Sequence, residues 1–454
     1  MRIVLALLLF AAAGCNNAST LSAAPRAAEP FSAFRGVAKP GTFTNGKITH
    51  VVIIVQENRS VDNLFLGLKG ADTQSYALNS VGDRVDLLPV SFSAPYDLNH
   101  DHSGYAIESD SGKMDGFNLE HSTNCKGLKG CPKADVAAYG YLPQKEVTPY
   151  FDMAEEYAFA DHMFESNEGP SFPAHQYLIS GTSTISQGSR LRVSENPQTA
   201  EQQFTGGCDS PPGSLAMLID ANGEELQETY PCYDRPTLMD LITDKGLTWR
   251  YYEWRTGAGL WNAPDAIKHL QEGSQFSTEV VAPPSKVITD IGNGALASVV
   301  WVTPTAKASD HAHISNGTGP SWVASVVNAV GKSNYWDNTV IFLTWDDWGG
   351  WADHVSPVVY NSYELGFRVP AVIISPYTPK GYVSHRQHEF GSILKFVEKT
   401  FDLGSLGTTD VRADDFSDCF NFKGTPRSFT PIPAPLGADY FLKQGGGNGP
   451  PDND

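Results

Sequence analysis

The sequence predicts an α/β fold with a mostly parallel central sheet, helices on both faces and an irregular cap or insertion. Four apolar runs have the length of strands and are continuous rather than alternating, which is typical of strands buried on both faces. Segments with helical periodicity lie between them, and strands that alternate with helices indicate a doubly wound sheet. The four runs are 50–55, 297–302, 339–344 and 369–375.

The helices are predicted from apolar residues spaced i, i+3, i+4 and i+7. They cover residues 150–157, 236–246, 321–331 and 390–401. The stretch 180–290 is less regular, and we expect it to contain the cap. Its aromatic residues either pack in the core or bind a lipid headgroup such as choline. They are Trp249, Tyr251, Tyr252, Trp254 and Trp261.

The charge of the chain limits its partners. The 454 residues carry a formal net charge of -19, which argues against nucleic acid, since phosphate backbones are bound by basic surfaces. A phosphate ester substrate stays possible, because a bound metal ion can invert the local charge.

The N-terminus has the pattern of an export signal, with Arg2 followed by an apolar run over 3–13 that is too short to span a membrane. The sequence AAAGC resembles a lipobox, in which Cys15 is lipidated; an ordinary secretory signal is the alternative. Both interpretations predict export. The predicted segments are a signal peptide with lipobox (1–15), a flexible tether (16–45), one folded domain (46–420) and a C-terminal extension with a disordered tail (421–454).

The cysteines fit an oxidising compartment. We expect one disulfide between Cys125 and Cys131 and a second between Cys208 and Cys232, which leaves Cys419 over. A zinc site would need C-x2-C spacing or nearby histidines, and these cysteines have neither.

Three of the predicted strands end in polar clusters. Parallel strands place their carboxyl ends at one edge of the sheet, where ligands of α/β folds bind. The clusters are Glu57 and Asn58 after the first run, Asp310 and His311 after the second, and Asp346 and Asp347 after the third, with His354 shortly beyond.

Glu57, Asp346 and Asp347 would repel each other at one edge unless a cation lay between them. Carboxylate and amide oxygens suit hard divalent ions, and Asn58 adds an amide. For each acid taken alone, a helix cap or a loop salt bridge is the alternative. We expect Arg59 to brace the loop rather than act in catalysis.

Ser171 is the candidate nucleophile. In SNEGPSFPAHQY, Gly169 and Pro170 predict a turn, and Pro173 marks the first turn of a helix. A helix start attracts phosphate oxygens. The alternative is that Ser171 is only the N-cap.

The segments QENRSVDNLF, HDHSGY, SNEGPSFPAHQY, SDHAHISNGTGPSWV and FLTWDDWGGWADHV, together with GKMDGF and GFRVPAVIISP, occur in family order. Over residues 46–403 they resemble the bacterial phosphoesterase family of non-haemolytic phospholipases C and acid phosphatases, of the alkaline-phosphatase-like superfamily. The resemblance makes 46–420 a phosphoesterase catalytic domain. It implies one divalent ion (Ca, Mg, Mn or Zn) held by Glu57, Asn58, Asp346, Asp347 and the nucleophile Ser171. Relatives often have Asp-Glu where this chain has Asp346-Asp347.

The resemblance also implies a phosphate pocket. Its expected residues are Asn58, Asp310, His311, His354 and His100, for which His102 is the alternative. His311 or His354 would protonate the leaving group.

The implied protein is a bacterial periplasmic or cell-surface lipoprotein, held at the membrane by its lipid anchor. Its substrate is a phosphate ester, either a phospholipid or a phosphomonoester. A sulfatase is disfavoured because SFPAH lacks the arginine of the sulfatase motif, and a non-catalytic metal-binding lipoprotein is the remaining alternative.

Overall fold

A computed structural model describes residues 41–123 and 131–445. The helices are α1 (Val61–Phe65), α2 (His102–Ser109), α3 (Gln144–Glu156), α4 (Ser171–Ser180), α5 (Leu238–Asp244), α6 (Lys268–Gln271), α7 (Phe276–Glu279), α8 (Lys286–Gly292), α9 (Gly319–Gly331), α10 (Phe390–Phe401), α11 (Thr409–Arg412) and α12 (Ala438–Leu442).

The strands are short apart from β1 and β16. They are β1 (His50–Gln56), β2 (Tyr76–Leu78), β3 (Arg84–Asp86), β4 (Leu88–Pro89), β5 (Asp97–Leu98), β6 (Ser122–Thr123), β7 (Gly140–Tyr141), β8 (Ala158–Ala160), β9 (Met163–Phe164), β10 (Arg192–Val193), β11 (Ala216–Ile219), β12 (Glu225–Thr229), β13 (Trp249–Tyr252), β14 (Val280–Val281), β15 (Val299–Val302), β16 (Thr339–Trp345), β17 (Ala371–Ile374), β18 (Tyr382–Ser384) and β19 (His388–Glu389).

Eight strands form the central sheet, in the order β14-β13-β15-β1-β16-β17-β8-β18. All neighbours are parallel except that β17 runs antiparallel to both β16 and β8. The predicted mostly parallel α/β fold is therefore confirmed.

Helices cover both faces of this sheet. One group contains α4, α5, α10 and α11, and the other contains α3, α8, α9 and α12. β15, β16 and β17 are buried along their whole lengths, as continuous apolar runs predict.

The expectation for residues 180–290 is partly wrong. β13 and β14 lie in this stretch and extend the central sheet, while β10, β11 and β12 form a separate antiparallel sheet. Trp249, Tyr251, Tyr252 and Trp261 are buried, so they pack in the core, and only Trp254 of the five aromatic residues is half-buried.

The chain packs over more residues than the predicted domain. Gly41, within the predicted tether, donates from its amide to the carbonyl of Thr400 over 2.7 Å. Ile432 and Phe441, within the predicted C-terminal extension, are buried against the core. Residues 1–40 and 446–454, including Cys15, lie outside the described residues.

Cys208 and Cys232 form the expected disulfide, and Cys419 is a buried free thiol. Cys131 is also disulfide-bonded, whereas Cys125, its expected partner, lies outside the described residues. None of the helices in the described part of the chain has the length and apolar character needed to cross a bilayer.

Candidate active site

The polar residues that follow β1 and β16 are held together by main-chain contacts. The two strands pair in parallel along their whole lengths, so they end at the same edge of the sheet. The amide of Asp346 donates to the carbonyl of Gln56 over 3.0 Å, and the amide of Arg59 donates to the carbonyl of Asp347 over 2.9 Å. The amide of Asn58 donates to Asp346 Oδ1 over 3.0 Å. The sheet itself therefore brings the two acidic strand ends together.

Ser171 lies against these carboxylates. Its hydroxyl is 3.1 Å from Asp347 Oδ2 and 3.4 Å from Glu57 Oε2, and the side chain is fully buried. Ser171 is the first residue of α4, and Pro170 is the N-cap, so the alternative that Ser171 is merely the N-cap is wrong. The amide of Phe172 donates to the Asn196 side chain, and Pro173 has no N–H. The first turn can thus offer a substrate only the amide of Ser171.

Asn58 joins the strand ends to a histidine. It adopts a left-handed backbone conformation with φ of 57°. Its side-chain Nδ2 donates to Asp347 Oδ2 over 3.2 Å and to His100 Nε2 over 2.9 Å. The second nitrogen of His100 lies 2.7 Å from the carbonyl of Leu98 and therefore carries the proton. His102 instead binds the carbonyl of Glu168, so His100 is the histidine that reaches the cluster.

The donors present fit a divalent cation. Glu57, Asp346 and Asp347 are all fully buried around Ser171 and Asn58. Two of the oxygens, Asn58 Oδ1 and Asp346 Oδ2, are buried and have no hydrogen-bond partner among the described residues. Buried, unpaired oxygens beside three carboxylates are costly without a cation, and oxygen donors of this kind bind divalent ions.

Two further residues reach the cluster that sequence reasoning missed. His175 Nε2 is 3.2 Å from Glu57 Oε1, and its position four residues after Ser171 on one helix face was a signal that could have revealed it. Glu165 is fully buried. Burial, together with the charges of Asp347 and Asp346, raises the pKa of Glu165 well above its ordinary value. We find no sequence signal for this acid.

His311 lies beside His100, with ring centroids 5.6 Å apart. Its Nδ1 is 2.7 Å from the carbonyl of Ala312. Because that carbonyl accepts a proton from Nδ1, Nε2 is the nitrogen of His311 that can exchange a proton with a ligand.

Asp310 is held from the core side. Its Oδ2 accepts hydrogen bonds from the Tyr150 hydroxyl over 2.8 Å and from the Trp345 indole over 2.9 Å. Burial raises the pKa of Asp310 to about 7, and these hydrogen bonds and the charge of Arg59 offset part of the increase. Arg59 donates to the main-chain carbonyl of Asp310 and braces the loop as expected.

His354 belongs to a different group of charges. Its Nδ1 is 2.6 Å from Asp62 Oδ2, and its Nε2 is 3.2 Å from Asp72 Oδ1. Arg368 pairs with Asp353 in the same group over 2.8 Å. Burial opposes protonation of His354, but the contacts with Asp62 and Asp353 outweigh it and raise the pKa of the imidazole. The contacts found for His354 do not include Ser171 or its carboxylates.

A cavity of about 640 Å³ opens beside His100 and Pro170. Carboxylates and apolar side chains form its walls: Asp97, Asp101, Glu195, Glu225, Glu228, Phe204, Leu215 and Met217. Part of one wall is the hairpin of β11 and β12. Burial raises the pKa of Glu195 well above its ordinary value, and the charges of Asp101 and Glu225 raise it further.

Comparison with known proteins finds phospholipases C among the relatives of this chain. The chain is 23% identical to a non-hemolytic phospholipase C of Burkholderia pseudomallei over 93% of its own length and 65% of that protein. It is 25% identical to non-specific phospholipase C1 of Arabidopsis thaliana, over 88% of this chain and 76% of that protein. The chain thus spans slightly less than two thirds of the Burkholderia protein.

Among solved structures, a protein of the alkaline phosphatase superfamily from Vibrio parahaemolyticus matches 82% of this chain and 72% of its own, with 11% identity and a TM-score of 0.37. A sequence model described as the phosphoesterase family matches residues 48–404, which is most of the chain. The chain belongs to the phosphoesterase family.

Proposed function

We propose that this chain is a metal-dependent phosphoric ester hydrolase that uses Ser171 as its nucleophile. The observation that carries the proposal is the place of the Ser171 hydroxyl, which is buried at a helix start within 3.4 Å of both Glu57 and Asp347. The phospholipases C among the relatives support ester hydrolysis at phosphorus.

A divalent ion bound by Glu57, Asn58, Asp346, Asp347 and Ser171 would favour ionisation of the serine hydroxyl and offset phosphate charge. Ser171 Oγ attacks phosphorus, and its proton passes toward Asp347 Oδ2. The ester P–O bond breaks as the serine O–P bond forms, which gives a phosphoserine and an alkoxide leaving group.

His311 is the proposed proton donor to the leaving alkoxide: as an imidazolium it gives up the proton on Nε2 and keeps the one on Nδ1, which is bound to the carbonyl of Ala312. His354, the other candidate, is engaged by Asp62 and Asp72 in a separate group. A water molecule then attacks phosphorus and gives a proton to Nε2 of His311, while the serine O–P bond breaks and Ser171 Oγ regains its proton from Asp347, which releases the phosphorylated product. Asn58 Nδ2 orients His100 and Asp347 around the reacting group.

We propose a phosphodiester of a phospholipid as the substrate, with a cationic headgroup in the cavity. Four carboxylates of its walls, those of Asp97, Asp101, Glu225 and Glu228, attract positive charge and oppose the second negative charge of a phosphomonoester, whereas the raised pKa of Glu195 favours its neutral form. A phosphomonoesterase of the acid phosphatase type is the alternative.

The test compares wild type, Ser171→Ala and Ser180→Ala on phosphatidylcholine vesicles, with diacylglycerol as the product, and on an aryl phosphate. Ser180 is the matched control because it is buried at the other end of α4, and its hydroxyl has no partner among the described residues. Ser171→Ala should lower kcat by about a thousandfold or more, as loss of a nucleophile does elsewhere, and Ser180→Ala should keep wild-type activity.

Near-native activity in a folded Ser171→Ala protein would contradict the proposal that Ser171 is the nucleophile. Faster turnover of the aryl phosphate than of the lipid would favour the phosphomonoesterase. We also propose that residues 1–15 direct export and that Cys15 carries a lipid anchor, which places the enzyme at a membrane.

A further inference from the structure

We propose that the imidazole of His175 is a direct ligand of the divalent ion, which gives the site a mixed nitrogen and oxygen donor set. This proposal rests on the metal dependence proposed above and narrows the class of ion. An all-oxygen site suits calcium, magnesium or manganese, whereas an imidazole ligand suits zinc, iron, copper or nickel.

His175 lies next to two of the carboxylates that are proposed to bind the ion. It follows Ser171 by one helical turn on α4 and is fully buried. Its Nε2 is 3.2 Å from Glu57 Oε1 and 3.8 Å from Asp346 Oδ2. Donor atoms of these three residues all lie within 4.8 Å of one another. Separations of this size suit ligands that each bind one ion at about 2.0–2.2 Å.

The hydrogen bonds of His175 assign its protons. The hydroxyl of Tyr251 has a single proton and donates it to the carbonyl of Trp261 over 2.5 Å. The contact of 3.3 Å between that hydroxyl and His175 Nδ1 therefore needs the proton on Nδ1. In the neutral imidazole, Nε2 then presents a lone pair toward Glu57 and Asp346.

Nε2 and the two carboxylates converge on one point, and a divalent cation bound there would offset the repulsion between the carboxylates. Asp346 supplies the independent observation, because its Oδ2 is fully buried, lies on the Nε2 side and has no hydrogen-bond partner among the described residues. Asp346 Oδ1, by contrast, is bound by the amide of Asn58. The unpaired oxygen and the imidazole lone pair thus share one position for a cation.

Tyr251 also gives His175 the support typical of metal-bound histidines, whose second nitrogen donates to a neighbouring acceptor. Tyr251 lies on β13 of the central sheet, and its hydroxyl is bound to the carbonyl of Trp261. The hydroxyl that contacts His175 Nδ1 is therefore anchored to the central sheet. We therefore treat Tyr251 as a positioning residue for His175.

The experiment uses Mn²⁺ as a spectroscopic probe. The full-length protein is stripped with chelator and loaded with one equivalent of Mn²⁺, and electron spin echo envelope modulation records ¹⁴N coupled to the ion. Wild type should show a directly bound imidazole nitrogen, and His175→Gln should lose that signal. His162→Gln is the matched control, because His162 is a partly exposed histidine, and it should keep the signal.

A ¹⁴N signal that survives in His175→Gln would overturn the proposal, as would Mn²⁺ bound without a nitrogen signal in wild type, or no binding of Mn²⁺ at all. If circular dichroism shows that His175→Gln does not fold, Tyr251→Phe provides the test. In that variant the nitrogen signal should remain, while the affinity for Mn²⁺ should fall about 10- to 100-fold. Unchanged affinity in Tyr251→Phe would contradict the assigned proton.

The Mn²⁺ experiment tests the ligand role of His175 separately from the nucleophile role of Ser171. Serine-dependent hydrolysis without a nitrogen signal would remove only the role of His175. A nitrogen signal together with activity in Ser171→Ala would remove the nucleophile and leave the ligand assignment in place.

Discussion

At Asp310, burial changes the protonation of a carboxyl group near neutral pH. Its pKa is about 7 in the folded chain against an ordinary value of 3.8. Between these values the folded state holds a proton that the unfolded state has lost, so stability falls as pH rises through this window. Above pH 7 the folded state has to ionise a buried acid, which costs about 4 kcal/mol for a difference of about 3 between the two pKa values.

We expect Asp310→Asn to remove this part of the pH dependence. Urea unfolding from pH 4.5 to 8 should show wild-type stability declining more steeply than that of the variant. Asp83→Asn, at an exposed position, is the control and should keep the wild-type slope. Parallel slopes for wild type and Asp310→Asn would show that burial does not protonate this carboxyl group.

The individual residues differ in how far the sequence could predict them. Glu57 and Asp346 follow continuous apolar strands, and the parallel sheet brings them together as that pattern indicates. His354 also follows such a strand, yet a longer loop takes it to Asp62 and Arg368. The sheet determines the position of a residue that directly follows a strand, whereas the loop determines the position of a residue several positions further on. Hydrophobic periodicity does not predict the conformation of a loop.

At the scale of elements, the turn after β16 depends on a close approach of backbones. Gly349 has φ of +64°, and a Cβ there would lie 2.5 Å from the carbonyl oxygen of Asn58. Only glycine allows this approach, which brings the turn against Asn58, a residue that is itself left-handed with φ of 57°.

We expect Gly349→Ala to destabilise the chain more than the same change at Gly82. Gly82 also has a positive φ, but a Cβ there meets nothing within 4 Å, so it isolates the cost of the conformation, about 1 kcal/mol. The clash at Gly349 should add about 1–3 kcal/mol. Urea unfolding measures the loss of stability in each variant, and hydrolysis assays measure the loss of activity. Equal losses of stability in Gly349→Ala and Gly82→Ala would contradict the predicted clash at Gly349.

The elements show a second limit of sequence reasoning. The long strands β1 and β16 match the predicted runs closely, because six buried residues in β1 and seven in β16 leave a clear pattern. β13 has only four residues, and Arg250 within it is bound by Asp290 over 2.6 Å. The hydrophobic pattern of a four-residue strand is too short to distinguish it from a loop. The charged Arg250 interrupts the pattern further, because its ion pair with Asp290 forms only in the folded chain.

At the scale of the whole molecule, a net charge of -19 gives the enzyme little attraction for anionic membranes. For the proposed phospholipid substrate, access to the membrane would therefore depend on the proposed anchor at Cys15, and the acidic cavity would accept the proposed cationic headgroup.

We expect Cys15→Ser to move the protein from the membrane fraction to the soluble fraction of the exporting bacterium. Metabolic labelling with a fatty acid should mark wild type and leave the variant unlabelled. Cys419→Ser, at a buried free thiol, is the control and should keep the label. Label retained in Cys15→Ser would place the lipid at another residue, whereas an unlabelled wild type would favour an ordinary secretory signal.

The cavity takes its floor and its wall from different parts of the chain. His100 and Pro170 lie near Ser171, the proposed nucleophile, whereas Met217 and Glu225 come from β11 and β12, and Leu215 directly precedes β11, outside the central sheet. Leu215, Met217 and Glu225 line the cavity and are not among the proposed catalytic groups, so substitutions of their side chains alter the wall and leave those groups in the sequence. A directed-evolution library confined to these wall positions should yield variants with new headgroup preferences and an intact reaction, so the fold separates the evolution of substrate choice from that of chemistry.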